Sequence, residues 1–325
     1  MDDPPPPIPT STTLDFDDDA AVLSAAPAPG SSPGDTDRSD GPASAVDDGE
    51  DEVVVRAGFE VGFAEDRNKR CRRTMEDAHS FHYNFGGVDG AGFFAIFDGH
   101  AGKAAADWCG NNLHQVLETV LAENPAMPVP EALHKTFLLT DEKLAERKGL
   151  HSGCTAVVSL LRTETRPTSG DSAPAPKRVL YTGNVGDARV VLCRGGKAIR
   201  LTYDHKGSDP TEQQRISDSG GFIMNNRVNG ILAVTRSLGD LSMKEVIVGA
   251  PYTTEVELTE EDEFFILACD GVWDVCSDDT AVRMLRRMAS PQDAAEFLLQ
   301  YALENWSTDN LSVLVVRLRP LKGAA

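Results

Sequence analysis

The sequence lacks the features of a membrane or secreted protein. No stretch of it approaches the roughly eighteen consecutive apolar residues of a transmembrane helix. The chain starts without the basic segment and apolar core of a signal peptide. Its six cysteines include no C-x-x-C pair, which argues against a cysteine zinc site or a redox motif. These absences predict a soluble protein of the cytoplasm, the nucleus or both, with no membrane partner.

The phosphate-binding loops of nucleotide enzymes are also missing. The sequence contains neither the G-x-x-x-x-G-K-[ST] pattern of P-loop proteins nor the G-x-G-x-x-G pattern of dinucleotide-binding folds. This argues against a nucleotide-dependent kinase or dehydrogenase. The formal net charge is −20 and no basic groove is evident, which argues against nucleic acid as a partner and against a two-metal nuclease or phosphodiesterase.

The acidic residues are concentrated at the start of the chain. Residues 1–52 contain fourteen Asp or Glu and one basic residue, Arg38, so their net charge is −13 and that of the remaining 273 residues is −7. The segment is rich in Pro, Ala and Ser and has few large apolar side chains. Because such a composition cannot bury a core, we expect a disordered tail at 1–52 and one folded domain at 53–320.

The folded part mixes period-two strand patterns with helical ones. Helices are predicted at about 101–121, 130–147, 278–289 and 291–304. Strands that follow one another directly imply antiparallel pairing, and helices that come in pairs suggest layers outside the sheets. The fold class is therefore predicted to be α+β. A Pro/Ser-rich stretch at 163–177 is predicted to be an exposed insertion loop.

Acidic residues stand at the ends of several predicted strands. The apolar run 93–97 leads straight into Asp98, Gly99 and His100, and the run 264–269 ends in Asp270. If the strands lie side by side, these carboxylates converge on one rim. Further acidic residues in equivalent positions are Glu76 and Asp77 before the strand at 78, Asp187 in the turn "GNVGDAR", Asp274 after the second run, and Asp309 before the last strand.

A group of carboxylates in water-poor surroundings needs a positive counter-charge, because like charges raise one another's pKa and cost stability. Carboxylate, carbonyl and water ligands favour Mg²⁺ or Mn²⁺ over zinc. The pattern therefore predicts a centre with two such ions, which could activate one water between them. Taken singly, each residue is an ordinary turn or strand-end residue, and His100 alone would be a helix-start or core histidine, so the prediction depends on their joint occurrence.

Eight motifs in a fixed order carry a family resemblance. They are "RRTMEDAH", "FFAIFDGHAG", "SGCTAVV", "GNVGDAR", "LTYDHK", "RVNGILAVTRSLGD", "ILACDGVWDV" and "STDNLSVLVV". Together they resemble the metal-dependent serine/threonine phosphatases of the type 2C (PPM) family, and most closely its fungal members. The resemblance covers about residues 53–318 and implies a four-layer α-β-β-α sandwich of two antiparallel sheets flanked by helices.

The resemblance also implies a role for each residue of the rim. Asp98 would bridge two Mg²⁺ or Mn²⁺ ions. Asp270 and Asp309 would complete the ligands of one ion, and Glu76 with the carbonyl of Gly99 would hold the other. The remaining assignments are Asp77 beside Glu76, a weaker third-ion site at Asp187, Asp270 and Asp274, Arg72 as the phosphate-binding residue, and His100 as the general acid.

The implied reaction is hydrolysis of phosphoserine and phosphothreonine by a water that bridges the two ions, with phosphorylated proteins as partners and a monomer as the working state. Stress-activated kinases are the hypothetical substrates, by resemblance to the fungal members. The alternative is a catalytically silent docking module of the same fold. That alternative predicts the loss of Asp98, Asp270 or Asp309, and all three are present.

Two further segments have more than one interpretation. Residues 204–240 resemble the flap region of the family, whose exposed side chains either influence substrate choice or form a surface excursion without a role. Asp240 within it is interpreted as a helix-end carboxylate rather than a metal ligand. The cluster "RNKRCRR", which contains Arg72, could also be a solvated basic stretch or a localisation signal.

Overall fold

The computed structural model describes residues 58–167 and 173–319. The predicted acidic tail at 1–52 lies outside these residues, and so does the middle of the predicted insertion loop. None of the described helices is long and apolar enough to cross a membrane.

Fifteen strands and six α-helices are present in the described part of the chain. The strands are β1 (Phe59–Asp66), β2 (Ala78–Tyr83), β3 (Gly92–Phe97), β4 (Gly99–His100), β5 (Gly153–Cys154), β6 (Ala156–Arg166), β7 (Ala175–Val185), β8 (Arg189–Arg194), β9 (Lys197–Arg200), β10 (Ile223–Met224), β11 (Arg227–Val228), β12 (Leu238–Gly239), β13 (Tyr252–Glu257), β14 (Asp262–Ala268) and β15 (Leu311–Leu318). The helices are α1 (Ala104–Glu123), α2 (Val129–Ala145), α3 (Pro210–Asp218), α4 (Asp270–Trp273), α5 (Asp278–Leu285) and α6 (Pro291–Glu304), with 3₁₀ turns at Phe85–Gly87 and Leu241–Met243.

The long strands form two five-stranded antiparallel sheets. One has the order β1-β15-β14-β8-β9 and the other the order β13-β7-β6-β3-β2. The helices α1 and α2 pack on the outer face of the second sheet, and α5 and α6 pack on the first. The α+β class and the four-layer α-β-β-α arrangement predicted from the sequence are confirmed.

Side-chain alternation along each strand produces three separate apolar layers. Phe93 and Phe97 of β3 point towards α1 and α2, whereas Phe94 and Ile96 of the same strand point between the two sheets. Phe265 of β14 also lies in this central layer, with its ring 5.4 Å from that of Phe94. Because successive residues of a strand face opposite sides, an unbroken apolar run is what a sheet covered on both faces requires.

The strands around the predicted insertion are longer than expected. β6 and β7 remain paired as far as Arg166 and Ala175, so their connection is 167–174 rather than the predicted 163–177. Ion pairs lie at this polar end of the ladder: Arg166 contacts Glu164 of its own strand and Glu255 of β13. The composition of the stretch suggested a loop because its side chains are polar, but their opposite charges stabilise a sheet edge.

The predicted helices are present, and their ends differ from the predicted ends by a few residues. The predicted flap at 204–240 contains α3, the hairpin of β10 and β11, and the short strand β12. The strand β13 was not predicted. Its alternation of Thr and Glu with one Val gives only a weak apolar pattern, and its pairing with β7 identifies it as an edge strand.

Candidate active site

The ends of strands from both sheets meet at one rim of the sandwich. The start of β2 lies opposite the end of β3, because Ala78 pairs with Phe97, and this places Asp77 beside Asp98. In the other sheet Ala268 pairs with Val313, so the end of β14 and the start of β15 lie together. Asp270 and Asp309 flank these two strand ends, and Asp187 occupies the turn between β7 and β8.

Four carboxyl groups of this rim have raised pKa values. Burial raises the pKa of Asp77 to about 6, against the opposing effect of a hydrogen bond from Ser312 Oγ at 2.7 Å. Desolvation, followed by the charges of Asp77 and Asp270, raises the pKa of Asp98 well above its usual range. The pKa of Asp270 rises to about 8 through burial and the neighbouring carboxylates, and burial also raises the pKa of Asp187.

This electrostatic pattern fits a cation site. The side-chain oxygens Oδ1 of Asp77 and Asp187 are buried and accept no hydrogen bond. Unpaired buried carboxylate oxygens among mutually repelling carboxylates are satisfied by a hard divalent cation. In the ranges 58–167 and 173–319, however, no three His, Cys, Asp or Glu side chains already stand close enough together to hold an ion.

The loop that carries Glu76 is fastened to the rim by Asn310. The backbone N–H of Glu76 donates to Asn310 Oδ1 at 2.9 Å, and Asn310 Nδ2 donates to the carbonyls of Arg67 and Thr74. The Glu76 carboxylate accepts hydrogen bonds from Thr74 Oγ1 at 2.9 Å and from the N–H of Gly102 at 3.0 Å. The sequence showed Asn310 only as the neighbour of Asp309, and its amide gives no signal of this long-range role.

Gly99 allows the close approach of this loop. A Cβ at Gly99 would lie 2.2 Å from the carbonyl oxygen of Glu76, so only glycine fits between the two chain segments. The carbonyl of Asp98 accepts the N–H of Thr155 at 2.8 Å, which fixes the same turn from the other side. The predicted ligands Glu76, Asp98 and Gly99 are thus brought to one place, and their metal-binding roles stay predictions.

Arg72 lies on the open side of the rim and contacts Asp309. Its Nη2 is 2.5 Å from Asp309 Oδ2, and its Nε donates to the carbonyl of Thr308 at 3.1 Å. The Arg72 side chain is 47% exposed, so a phosphate could reach its guanidinium. A planar fork of donors beside the carboxylate group is suited to binding an anionic ligand.

His100 contacts Asp240, a residue for which the sequence suggested a different role. Its Nε2 is 2.7 Å from Oδ2 of Asp240, a carboxylate interpreted above as an ordinary helix-end residue. Asp240 does stand at the start of the 3₁₀ turn Leu241–Met243, but its side chain forms no cap there. The two residues are 140 positions apart, and no sequence spacing connects them.

Lys206 joins the residues of the predicted third-ion site. Its ammonium is 3.3 Å from Asp187 Oδ2 and 3.1 Å from Asp274 Oδ1. Desolvation lowers the pKa of Lys206, but the charges of Asp187 and Asp274 outweigh it and raise the pKa to about 12. A lysine charge therefore neutralises part of this acidic group, and the sequence analysis did not single it out.

Comparisons with known proteins agree with these features. The family model described as "Protein phosphatase 2C" matches residues 61–311. "Protein phosphatase 2C homolog 1" of Saccharomyces cerevisiae is 48% identical over 261 residues, a match that covers 79% of this chain and 93% of that protein. "Protein phosphatase 2C homolog 1" of Schizosaccharomyces pombe is also 48% identical, over 79% of this chain and 73% of its own length.

Solved structures share the fold. "Structure of a C.elegans sex determining protein" aligns with a TM-score of 0.71 and 27% identity, over 81% of this chain and 65% of that one. "Crystal structure of a phosphatase from a pathogenic strain Toxoplasma gondii" aligns with a TM-score of 0.68 and 21% identity, over 81% of this chain and 94% of that one. At 21% identity, the match with the Toxoplasma gondii phosphatase shows a shared fold and nothing further.

Proposed function

Because this chain belongs to the protein phosphatase 2C family and is a metal-dependent serine/threonine protein phosphatase, we propose that its reaction takes place at the rim formed by the strand ends, with two Mg²⁺ or Mn²⁺ ions. The observation that carries the proposal is the group of four carboxyl groups whose pKa values burial and mutual repulsion raise together. Such a group is costly to keep in a fold unless cations bind it.

The proposed ligands are those that the family resemblance implies. Asp98 would contact both ions, Asp270 and Asp309 would hold one of them, and Glu76 with the Gly99 carbonyl would hold the other. When bound, the ions supply an acidified water and neutralise the charge that grows on the phosphoryl oxygens. A third, weaker site at Asp187 and Asp274 would require their contacts with Lys206 to break.

The chain's own side chains have two tasks in this proposal. Arg72 would bind the phosphoryl group of the substrate, and its contact with Asp309 would keep the guanidinium at the rim until substrate arrives. His100 would donate a proton to the oxygen of the departing serine or threonine, which is the role that the family resemblance implies for it. Both side chains are partly exposed, as contact with a protein substrate requires.

The metal requirement is tested by phosphate release from a phosphothreonine peptide. Purified protein should release phosphate with Mn²⁺ or Mg²⁺ and stop with excess chelator, and Asp98→Ala should abolish turnover through loss of metal binding. Asp107→Asn, which changes a carboxylate on the surface of α1, is the matched control and should behave like the unmodified chain. Absence of turnover from folded, metal-loaded protein would favour the docking-module alternative instead.

The physiological substrates are proposed to be phosphorylated proteins that include stress-activated kinases with phosphothreonine in their activation loops. The support is the similarity to fungal family members, 48% identical over most of the chain. The chain is proposed to act as a monomer. Phosphoproteomes with and without the gene test the substrate class: no increase at any kinase activation-loop site after deletion would refute it.

A further inference from the structure

Asp240 is a buried carboxylate of the site to which the proposed chemistry gives no task. Its Oδ2 is 2.7 Å from Nε2 of His100 and accepts a hydrogen bond from Ser237 Oγ at 2.5 Å. We propose that Asp240 is a positioning residue, which fixes the orientation and tautomer of the His100 ring for proton donation to the leaving group. This inference rests on the general-acid role of His100 proposed above.

A small three-stranded sheet brings the two residues together. Its order is β12-β5-β4, and His100 pairs with Gly153, which pairs with Gly239. Asp240 follows Gly239 directly and therefore emerges beside His100, across the narrow middle strand. Cys154 of β5 and Leu238 of β12 are buried in the core beneath α1 and α2, which anchors this small sheet and the side chains at its end.

The backbone around Asp240 is shaped for this contact. A Cβ at Gly153 would lie 2.2 Å from Asp240 Oδ2, so the carboxylate occupies the space that any other residue would fill. Asp240 itself has φ 49° and ψ 44°, a left-handed conformation that non-glycine residues seldom adopt. Its N–H donates to the carbonyl of Ser152 at 3.3 Å. The carboxylate is therefore held without help from His100.

Contacts with α2 hold the same loop. Asp141 of α2 accepts the N–H of Gly239 at 2.9 Å and pairs with Lys244 at 2.8 Å. Lys244 in turn donates to the carbonyl of Ser237 at 3.0 Å. Gly239 and Lys244, which lie on either side of Asp240 in the chain, are thus both tied to α2, which leaves the His100 ring as the part that the carboxylate can orient.

The contact determines which ring nitrogen is free to act. Nε2–H donates to Asp240, and Nδ1 of His100 has no hydrogen-bond partner among the described residues. In the step we propose, the Nδ1–H bond of the imidazolium breaks, the proton bonds to the oxygen of the departing serine or threonine, and the ring returns to its neutral Nε2–H form. Without Asp240, the ring could rotate or keep its proton on the wrong nitrogen.

The test compares two substrates that differ in leaving group. Phenyl phosphate has a poor leaving group and needs a general acid, whereas p-nitrophenyl phosphate has a good one and hardly needs it. With Mn²⁺ present, we expect His100→Ala to lower kcat for phenyl phosphate about 100-fold and Asp240→Asn to lower it about tenfold or more, with much smaller effects on p-nitrophenyl phosphate. The Mn²⁺ concentration for half-maximal rate should not change.

A double variant distinguishes positioning from a merely structural role. If Asp240 acts through His100, His100→Ala with Asp240→Asn should be no slower than His100→Ala alone. Nitrogen-15 NMR of the ring in the unmodified protein should show an Nε2–H tautomer that Asp240→Asn disturbs. The surface change Asp107→Asn should leave all of these measurements unchanged.

Two results would overturn the inference, and they distinguish failure of the positioning role from failure of the general-acid role. If His100→Ala favours the good leaving group but Asp240→Asn slows both substrates equally, or the double variant is slower by the product of the two effects, Asp240 does not position the acid. If His100→Ala itself slows both substrates equally, the general-acid role fails, and the positioning role fails with it, while metal-dependent turnover would still support a phosphatase.

Discussion

Asp270→Asn should stabilise the metal-free protein at the same time as it abolishes turnover. Burial and the charges of Asp187 and Asp309 raise the pKa of Asp270 to about 8, against 3.8 for an unperturbed side chain. An acid with a raised pKa in the folded state costs stability as pH rises above its unfolded value, and the cost grows until pH passes the folded value. Metal-free protein should therefore lose stability between about pH 4 and pH 8.

The size of the effect follows from the shift. At pH 7 a carboxyl group with these two pKa values is about three units above its unfolded value, which at 1.36 kcal/mol per unit amounts to roughly 4 kcal/mol. Because the titration of Asp270 is coupled to that of the neighbouring carboxylates, we expect Asp270→Asn to raise the free energy of unfolding by about 2–4 kcal/mol. Mn²⁺ should reverse the order, since it stabilises the unmodified protein by mass action and binds Asp270→Asn weakly.

The assay is urea unfolding in excess chelator at pH 5 and pH 8, repeated with Mn²⁺, with Asp107→Asn as the exposed control. Asp270→Asn should unfold at higher urea than the unmodified protein at pH 8, and the difference should shrink at pH 5. If the variant is less stable than the unmodified protein in chelator at pH 8, the Asp270 carboxylate does not destabilise the metal-free fold. The repulsion among these carboxylates would then not indicate a cation site.

Two further predictions concern charges outside the proposed ligands. The buried Glu212 carboxylate accepts hydrogen bonds from Arg215 and Arg236, and these lower its pKa to about 2 although desolvation opposes them. Glu212→Gln should therefore lower the free energy of unfolding at pH 7 by about 3 kcal/mol, as measured by urea unfolding. This contribution is present above pH 4.5 and is lost as pH falls towards 2, so a penalty as large at pH 2 as at pH 7 would contradict it. Lys206→Met removes the ammonium beside Asp274 and should tighten binding of an additional Mn²⁺ in calorimetry; an unchanged isotherm would mean that the lysine does not compete with cations.

Much of the architecture follows from local patterns. The run 93–97 is apolar at every position because β3 is covered on both faces, and the run 264–268 in β14 is apolar for the same reason. The polar stretch at 163–177 misled the prediction because a strand edge held by ion pairs has no apolar period. Arg166 at the end of that ladder pairs with Glu255, which is 89 positions away in the sequence.

The apolar runs of the sequence indicate which carboxylates stand at strand ends, and the eight ordered motifs indicate the family. Antiparallel pairing brings the end of one strand beside the start of its neighbour, so within each sheet these carboxylates lie together.

The partners of these groups emerge only from the fold: His100 contacts Asp240, Lys206 contacts Asp187 and Asp274, and Asn310 holds the loop of Glu76. Local sequence encodes backbone periodicity over a few residues. A hydrogen bond or an ion pair across the rim, in contrast, depends on where whole sheets and loops stop relative to one another.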